Sequence, residues 1–232
     1  MQKDITGQDN IRLSIIIPVL NSHEIVRRQI EHFKKMDLPD DVEIIIVDDG
    51  SDPPLEGDGV EIIKTNDTRP WTHPKARNIG ASRAKGDVLL FTDIDHVVDE
   101  KAVSFGRQFK YDYGRFNREL GVLDKDGNLS QEADELIAWG VPKKKALGSL
   151  HIGCHVLSMY IKASVFNEVK GFREKLTSYP THDDGNMKTK LNRNGFVKCP
   201  DDERPKIYMI PNGRYSGDKN ANPYGYFHSL CR

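Results

Sequence analysis

Residues 88–91 form a wholly apolar run that is followed closely by two aspartates, Asp93 and Asp95, with one residue between them. Such a run is typical of a strand buried on both faces, and the chain becomes polar where the strand would leave the core. In an extended backbone, residues two apart point to the same side, so both carboxylates can reach one point in space. The pattern predicts a site for a hard cation, whereas a lone pair of this kind more often only solvates a strand end.

The same order of strand and helix recurs through the first hundred residues. Apolar runs at residues 13–20 and 42–47 predict two further strands, and the second run leads into Asp48 and Asp49. Helical spacing of apolar residues follows the first run, and residues 75–85 predict another helix, which Gly86 would end. This alternation predicts an α/β fold whose parallel sheet collects ligands at the carboxyl ends of its strands.

Several local signals set the bounds of these elements. Pro18 has no N–H group for a ladder, so the first strand is expected to stop pairing there. Asn21 is followed three residues later by Glu24, which resembles a capping box and predicts that a helix begins at Asn21. Later in the chain, Asp126 and Gly127 predict the turn of a small hairpin.

Length and composition restrict the class of protein. The 232 residues suit one sizeable α/β domain, and the net charge of −1 gives no general attraction for nucleic acid or an anionic membrane. Three widely spaced cysteines indicate a reducing compartment. The polar N-terminus lacks a signal peptide and no apolar run is long enough to span a bilayer, so we expect a cytoplasmic protein without stable membrane insertion. Lysines 143–145 are expected in a solvated loop, with contact to a phosphate-bearing acceptor as the alternative.

An ordered set of short motifs resembles the family 2 glycosyltransferases. Its members are residues 14–21 (SIIIPVLN), 47–51 (VDDGS), 76–80 (ARNIG), 86–87 (GD), 93–95 (DID), 171–172 (GF) and 182–184 (HDD). Each motif is weak alone, and the order and spacing of the set carry the resemblance. It covers most of the chain, from about residue 13 to residue 195.

The resemblance implies a GT-A fold, with a Rossmann-like nucleotide-binding half around a central, mostly parallel sheet. This half is expected at residues 11–98, and the acceptor-binding half with the C-terminal tail at residues 99–232. Family members transfer a sugar from a nucleotide-sugar with inversion at the anomeric carbon. A UDP-sugar is the expected donor, and the acceptor is a glycan, a lipid-linked sugar or another hydroxyl-bearing molecule. The sequence does not predict the oligomeric state.

The resemblance also implies roles for particular residues. Pro18 and Asn21 would line the nucleotide pocket, Asp49 would hydrogen-bond the base and Arg77 would contact the nucleotide. Asp93 and Asp95 match the metal-binding motif, and Mn²⁺ is expected there, or else Mg²⁺.

The second acidic motif and two histidines complete the implied site. Asp184 matches the catalytic base, and Asp183 competes for that role because the family motif commonly begins with Glu. His155 follows a small-residue stretch that resembles the lining of the donor sugar. His228, in the tail, either becomes a metal ligand when the tail closes or remains an exposed residue.

Two other functions stay open at this stage. A non-catalytic module that binds a nucleotide-sugar or a glycan would also keep the metal motif. A sugar nucleotidyltransferase would need a basic, glycine-rich phosphate loop after the first strand, and residues 18–22 lack one.

Overall fold

The computed structural model of the chain describes residues 11–57, 59–67, 72–174 and 183–211. Its first part alternates strands and helices, as the apolar runs predict. The strands are β1 (Leu13–Val19), β2 (Val42–Asp48), β3 (Ile62–Lys64) and β4 (Val88–Phe91), and the helices are α1 (His23–Lys35) and α2 (His73–Arg83).

The second part begins with β5 (His96–Val97), α3 (Glu100–Arg107) and the long strand β6 (Tyr113–Leu120). A small hairpin of β7 (Val122–Leu123) and β8 (Leu129–Ser130) confirms the turn predicted at Asp126 and Gly127. The remaining elements are α4 (Ala133–Ala138), α5 (Lys143–Ala146), β9 (His151–Lys162), α6 (Ala163–Glu168), α7 (Asp183–Arg193) and β10 (Lys206–Met209). The three lysines therefore form a one-turn helix rather than a loop, with Lys143 and Lys144 exposed.

Among the described residues, the main sheet has eight strands in the order β3-β2-β1-β4-β9-β6-β10-β5. The first four run parallel to one another. β9 is antiparallel to both β4 and β6, and β10 lies parallel to β6 with β5 antiparallel at the edge. Only β9 and β5 therefore oppose the common direction, which confirms the predicted α/β fold with a mostly parallel sheet.

The sheet lies between two layers of helices, and successive side chains of its buried strands point to opposite layers. In β4, Val88 and Leu90 pack into one apolar cluster with α1 and α3, whereas Leu89 and Phe91 pack into another with α2, α6 and α7. Both faces of the central strands are covered, which explains why their sequences are apolar without alternation.

Pro18 does not end the first strand, so that prediction is wrong. β1 stays in register with β2 as far as Val19, whose carbonyl accepts from Asp49 N at 2.8 Å. Alternate residues of a strand point their backbone groups to opposite neighbours, and Ile16 accepts from Thr92 N on the β4 side. Pro18 faces that same side, beyond the last β1–β4 pair. The ladder therefore does not need the N–H group that Pro18 lacks.

Two predicted helix ends are also displaced. Asn21 has φ +51° and lies before the helix, whose N-cap is Ser22. Its N–H donates to Ser51 Oγ (2.9 Å) and its amide oxygen accepts from Asp52 N (2.8 Å), so Asn21 links two loops rather than capping.

Gly86 likewise does not end α2, because Arg83 is the last helical residue and Ala84 is already extended. A Cβ atom on Gly86 would lie 2.6 Å from Ser14 Oγ and 2.7 Å from Ser14 N. The glycine is therefore required by close approach of the backbone to β1.

No sequence pattern predicts the strand β6, which lies in the central part of the chain. Within the described residues, every helix is too short or too polar to cross a membrane.

Candidate functional site

The two aspartates of the metal motif lie at the edge of the sheet where β1, β2 and β4 have their carboxyl ends. Ile94 and Asp95 form a turn, and His96 N donates to Asp93 O at 2.9 Å. The prediction that this motif has an extended backbone is therefore wrong. A tight turn brings the two carboxylates together instead.

Two distant segments fix the backbone of this turn. Gln29 of α1 is fully buried, and its amide nitrogen donates to Ile94 O (2.6 Å) and His96 O (3.1 Å). Ile210, just after β10, donates its backbone N–H to Asp95 O at 2.8 Å. The backbone that carries the two carboxylates is thus held by hydrogen bonds from α1 and from the end of β10, and no sequence motif predicts that Gln29 takes part.

Asp93, Asp95 and His96 each bring one potential ligand atom within 4.8 Å of the other two. His96 Nδ1 lies 3.3 Å from Asp95 Oδ1 and 3.7 Å from Asp93 Oδ2. The aspartate side chains are 17% and 20% exposed, so an ion can reach them from solvent. Carboxylate oxygens are the ligands that Mg²⁺ and Mn²⁺ prefer, and the donor set fits either ion.

Arg77 of α2 lies behind this cluster with no exposed surface. Its Nη2 donates to Asp93 Oδ1 at 2.5 Å, and His73 Nε2 lies 3.4 Å from the same oxygen. The guanidinium carbon lies 5.5 Å from the centre of the Phe172 ring. Its Nε and Nη1 atoms have no hydrogen-bond partner among the described residues. Arg77 therefore places a buried positive charge against Asp93.

His96 is buried, and burial lowers the pKa of its imidazole to about 4. The negative charge of Asp93 opposes this shift, while Arg118 and Arg77 add to it. The ring is consequently neutral at physiological pH.

Arg118 of β6 lies on the other side of His96 and is 5% exposed. Its Nη1 is 3.3 Å from His96 Nε2, and its Nε donates to Gly153 O at 3.2 Å. Arg118 is not among the residues predicted for the site, although the pattern of β6 contains a signal for it. Phe116, Arg118 and Leu120 alternate on the buried face of β6, so an arginine stands where the strand pattern calls for an apolar residue.

The predicted nucleotide-binding residues Pro18, Asn21 and Asp49 also lie at this edge of the sheet. Asp49 is buried, and its Oδ1 accepts from the hydroxyl groups of Thr72 and of Thr65, the latter at 3.4 Å. Burial raises the pKa of the Asp49 carboxyl.

Asp48, by contrast, serves the loop after β2. Its two carboxylate oxygens accept from Ser51 N (2.8 Å) and Leu55 N (2.9 Å). The carboxylate is thus committed to the loop, which leaves Asp49 as the acidic residue of this pair that can meet a ligand.

The candidate catalytic acids Asp183 and Asp184 are the first two residues of α7. Met187 and Leu191 of this helix pack in the same apolar cluster as Phe91 and Met159, so α7 lies against β4 and β9. The side chains of Asp183, Asp184 and His155 lie outside the described part of the structure, as does all of His228.

Comparisons with known proteins agree with this architecture. Residues 14–104 match the model of Glycosyl transferase family 2, which confirms the resemblance found in the sequence. No curated protein matches the chain.

Solved structures share the fold at low sequence identity. S. aureus TarS 1–349 in complex with UDP-GlcNAc is 15% identical, with a TM-score of 0.57 over 94% of this chain and 64% of that one. The mannosyltransferase PcManGT from Pyrobaculum calidifontis, in complex with GDP-Man and Mn²⁺, is 14% identical, with a TM-score of 0.54 over 91% and 59%. This chain therefore spans less than two thirds of either structure. The likeness confirms a GT-A type fold.

Proposed function

Because residues 14–104 match glycosyl transferase family 2, we propose that this chain is a metal-dependent, inverting glycosyltransferase. It transfers a sugar from a nucleoside-diphosphate sugar, with a UDP-sugar as the favoured donor, to an acceptor hydroxyl. The observation that carries the proposal is the meeting of Asp93 and Asp95 at the sheet edge that also holds Asp49. In the proposed division of labour, residues 11–98 bind the donor and residues 99–232 receive the acceptor.

Asp93 and Asp95 would hold a divalent ion, with Mn²⁺ favoured over Mg²⁺. When bound, the ion stabilises the negative charge that develops on the departing diphosphate. The complex of a fold neighbour with GDP-Man and Mn²⁺ supports this choice of ion. Arg77 holds the Asp93 carboxylate in place from the protein side.

The remaining roles follow the resemblance. Pro18 and Asn21 line the nucleotide pocket, Asp49 accepts a hydrogen bond from the base, and His155 lies beside the donor sugar. Asp184 removes the proton from the acceptor hydroxyl as this attacks the anomeric carbon, with Asp183 as the competing base. Attack from the face opposite the diphosphate inverts the anomeric centre, so no covalent sugar intermediate on the protein is needed.

The first test measures release of nucleoside diphosphate from UDP-sugars and GDP-sugars in the presence of Mn²⁺. We expect Asp95→Asn to abolish release, while Asp126→Asn, an exposed aspartate in the β7–β8 turn, leaves it unchanged. Failure of every donor and of free UDP and GDP to raise the melting temperature with Mn²⁺ would overturn the proposal.

The second test separates an enzyme from a module that only binds. We expect Asp184→Asn to keep donor binding and lose turnover, because the carboxylate acts on the acceptor. If Asp183→Asn gives this result instead, Asp183 is the base. A donor that binds wild-type protein but is never consumed with any acceptor would favour the binding module. NMR of the product must show the inverted anomer.

A further inference from the structure

The turn at residues 170–172, between α6 and α7, has an unusual backbone. Lys170 has φ +57° and Gly171 has φ +58°, so two successive residues lie in the left-handed region. A residue with a side chain rarely adopts this conformation, which persists only where neighbouring groups hold it. Residues 175–182 connect the turn to α7, which begins with the two candidate bases. The groups that hold this turn therefore also affect where α7 lies.

Asn78 of α2 holds the turn through the backbone of Phe172. Its Oδ1 atom accepts from Phe172 N, and its Nδ2 atom donates to Phe172 O, both at 2.9 Å. Nδ2 also donates to Glu174 Oε1 at 2.8 Å. A Cβ atom on Gly171 would lie 2.7 Å from Asn78 Oδ1, so this close approach requires a glycine there. The amide of Asn78 thus directs three of its four possible hydrogen bonds at residues 172–174.

A lysine of α7 donates to the same turn. Lys190 Nζ lies 2.6 Å from Gly171 O, and the lysine is partly buried. Met187 and Leu191 of the same helix pack in the apolar cluster that contains Phe172. Because Asn78 fixes this turn from α2, the contacts of Lys190 tie the position of α7 to that of α2.

The helix α2 also contacts the proposed metal site. Arg77, the residue before Asn78, donates to Asp93 Oδ1, and its guanidinium carbon lies 5.5 Å from the centre of the Phe172 ring. Two successive residues of α2 therefore contact the carboxylate of the metal motif and the turn that precedes α7. This arrangement makes α2 the element that relates one group to the other.

We propose that Asn78 is a positioning residue, which sets the place of the catalytic base in α7 relative to Asp93. The inference rests on the proposed function, since it takes Asp184, or else Asp183, as that base. Asn78 acts through the turn and needs no contact with either substrate. In a direct displacement the base and the attacking hydroxyl must be aligned with the departing diphosphate, and a misplacement of about 1 Å can lower the rate about 100-fold.

The first test separates positioning from binding by steady-state kinetics. We expect Asn78→Ala to lower kcat about ten- to a hundred-fold, while the KM for the donor and the affinity for UDP with Mn²⁺ stay close to those of wild type. Ser82→Ala removes a hydrogen bond to Ile79 O elsewhere on α2 and should leave all three unchanged. A merely structural role would lower the melting temperature of Asn78→Ala and leave the kcat of the folded protein intact, and this result would overturn the proposal.

Lys190→Met tests the same turn from α7, and methionine keeps the apolar stem of the side chain. We expect the same pattern, a lower kcat with unchanged donor binding. Because Asn78 and Lys190 act through one turn, the double variant should lose less than the product of the two separate factors. A loss equal to that product would show independent effects and would overturn the proposal. Lys190→Met alone decides by its own kcat and KM if Asn78→Ala does not fold.

Hydrogen exchange of backbone amides gives a readout that does not depend on turnover. In the metal-free protein, Asn78→Ala and Lys190→Met should both speed exchange at residues 187–193 of α7 and leave α1 unchanged. Unchanged exchange in α7 would overturn the inference even in an active glycosyltransferase. A wild-type protein that binds UDP and Mn²⁺ but turns over no donor would instead overturn the proposed function, and with it the catalytic role of Asn78, although faster exchange would still show that Asn78 and Lys190 hold this helix.

Discussion

The two aspartates of the metal motif differ in what stands behind them, and identical substitutions should separate their roles in stability. Asp93 accepts from Arg77, whose side chain has no exposed surface, whereas Asp95 lies against the neutral ring of His96. Asp93→Asn therefore leaves a buried guanidinium without a counter-charge. Asp95→Asn removes a charge from a side chain that is 20% exposed.

The size of the difference follows from the burial of Arg77. Removing one partner of a buried ion pair costs about 3 to 5 kcal/mol. The Asn amide oxygen can still accept from Arg77 and Asp93 is 17% exposed, so we expect a loss of about 2 to 3 kcal/mol for Asp93→Asn. For Asp95→Asn we expect a loss below about 1 kcal/mol. Both substitutions remove a carboxylate from the metal pair, so both should weaken Mn²⁺ binding strongly.

Urea denaturation of the metal-free proteins measures the first quantity, and calorimetric titration with Mn²⁺ measures the second. A double-mutant cycle provides the control, since Arg77→Met removes the buried charge. Asp93→Asn should then cost much less in the Arg77→Met background than in wild type. Equal destabilisation by Asp93→Asn and Asp95→Asn, or additive losses in the cycle, would refute the argument that Arg77 causes the difference.

Three further predictions concern stability and are checked by the free energy of unfolding in urea. Burial raises the pKa of Asp49, so the folded state holds this proton more tightly and loses stability as pH rises above about 4, the ordinary pKa of an aspartate. Asp49→Asn should therefore become more stable relative to wild type as pH rises above that value, and a constant difference in the free energy of unfolding would contradict this. Gln29→Met removes the two hydrogen bonds that the side chain donates to the turn at residues 93–96, which costs stability. It also removes the buried amide oxygen of Gln29, which has no hydrogen-bond partner among the described residues, and this offsets part of the loss. We expect a net cost of about 1 to 2 kcal/mol in the free energy of unfolding, together with weaker Mn²⁺ binding. Gly80→Ala brings a methyl group to 2.5 Å from Ile16 Cγ2. Overpacking of this kind costs about 1 to 3 kcal/mol of stability, whereas alanine gains about 1 kcal/mol in helix propensity, so we expect a net destabilisation.

The elements that the sequence predicted well are those whose local pattern and tertiary role agree. The runs at residues 13–19, 42–48 and 88–91 are apolar because both faces of these strands are covered, and that pattern identifies them without further knowledge. The carboxylates after them follow from the rule that ligands gather at the carboxyl ends of parallel strands.

What failed depends on contacts that are remote in sequence. Pro18 is tolerated in β1 because β4 ends early beside it, and Gly86 is required by the backbone of Ser14 rather than by its own helix. Gln29 supports a turn 65 residues away. Each reason lies in the position of another segment, which no local pattern reports.

The charged groups around Asp93 and Asp95 predict how the proposed metal site would be filled. Asp93 and Asp95 carry two negative charges, and the buried guanidinium groups of Arg77 and Arg118 bring two positive ones, with a neutral His96 between them. Among the described residues, the positive charges of the two guanidinium groups therefore balance the negative charges of the two carboxylates before an ion binds. A divalent cation alone would leave the pocket with excess positive charge, which a nucleoside diphosphate would relieve.

We expect each ligand to increase the affinity for the other by the same factor, since coupling is reciprocal. Titration of Mn²⁺ with and without UDP measures this factor, and Arg77→Met should reduce it by removing one of the two positive charges. Independent binding of Mn²⁺ and UDP would show that this balance of charge does not govern the site.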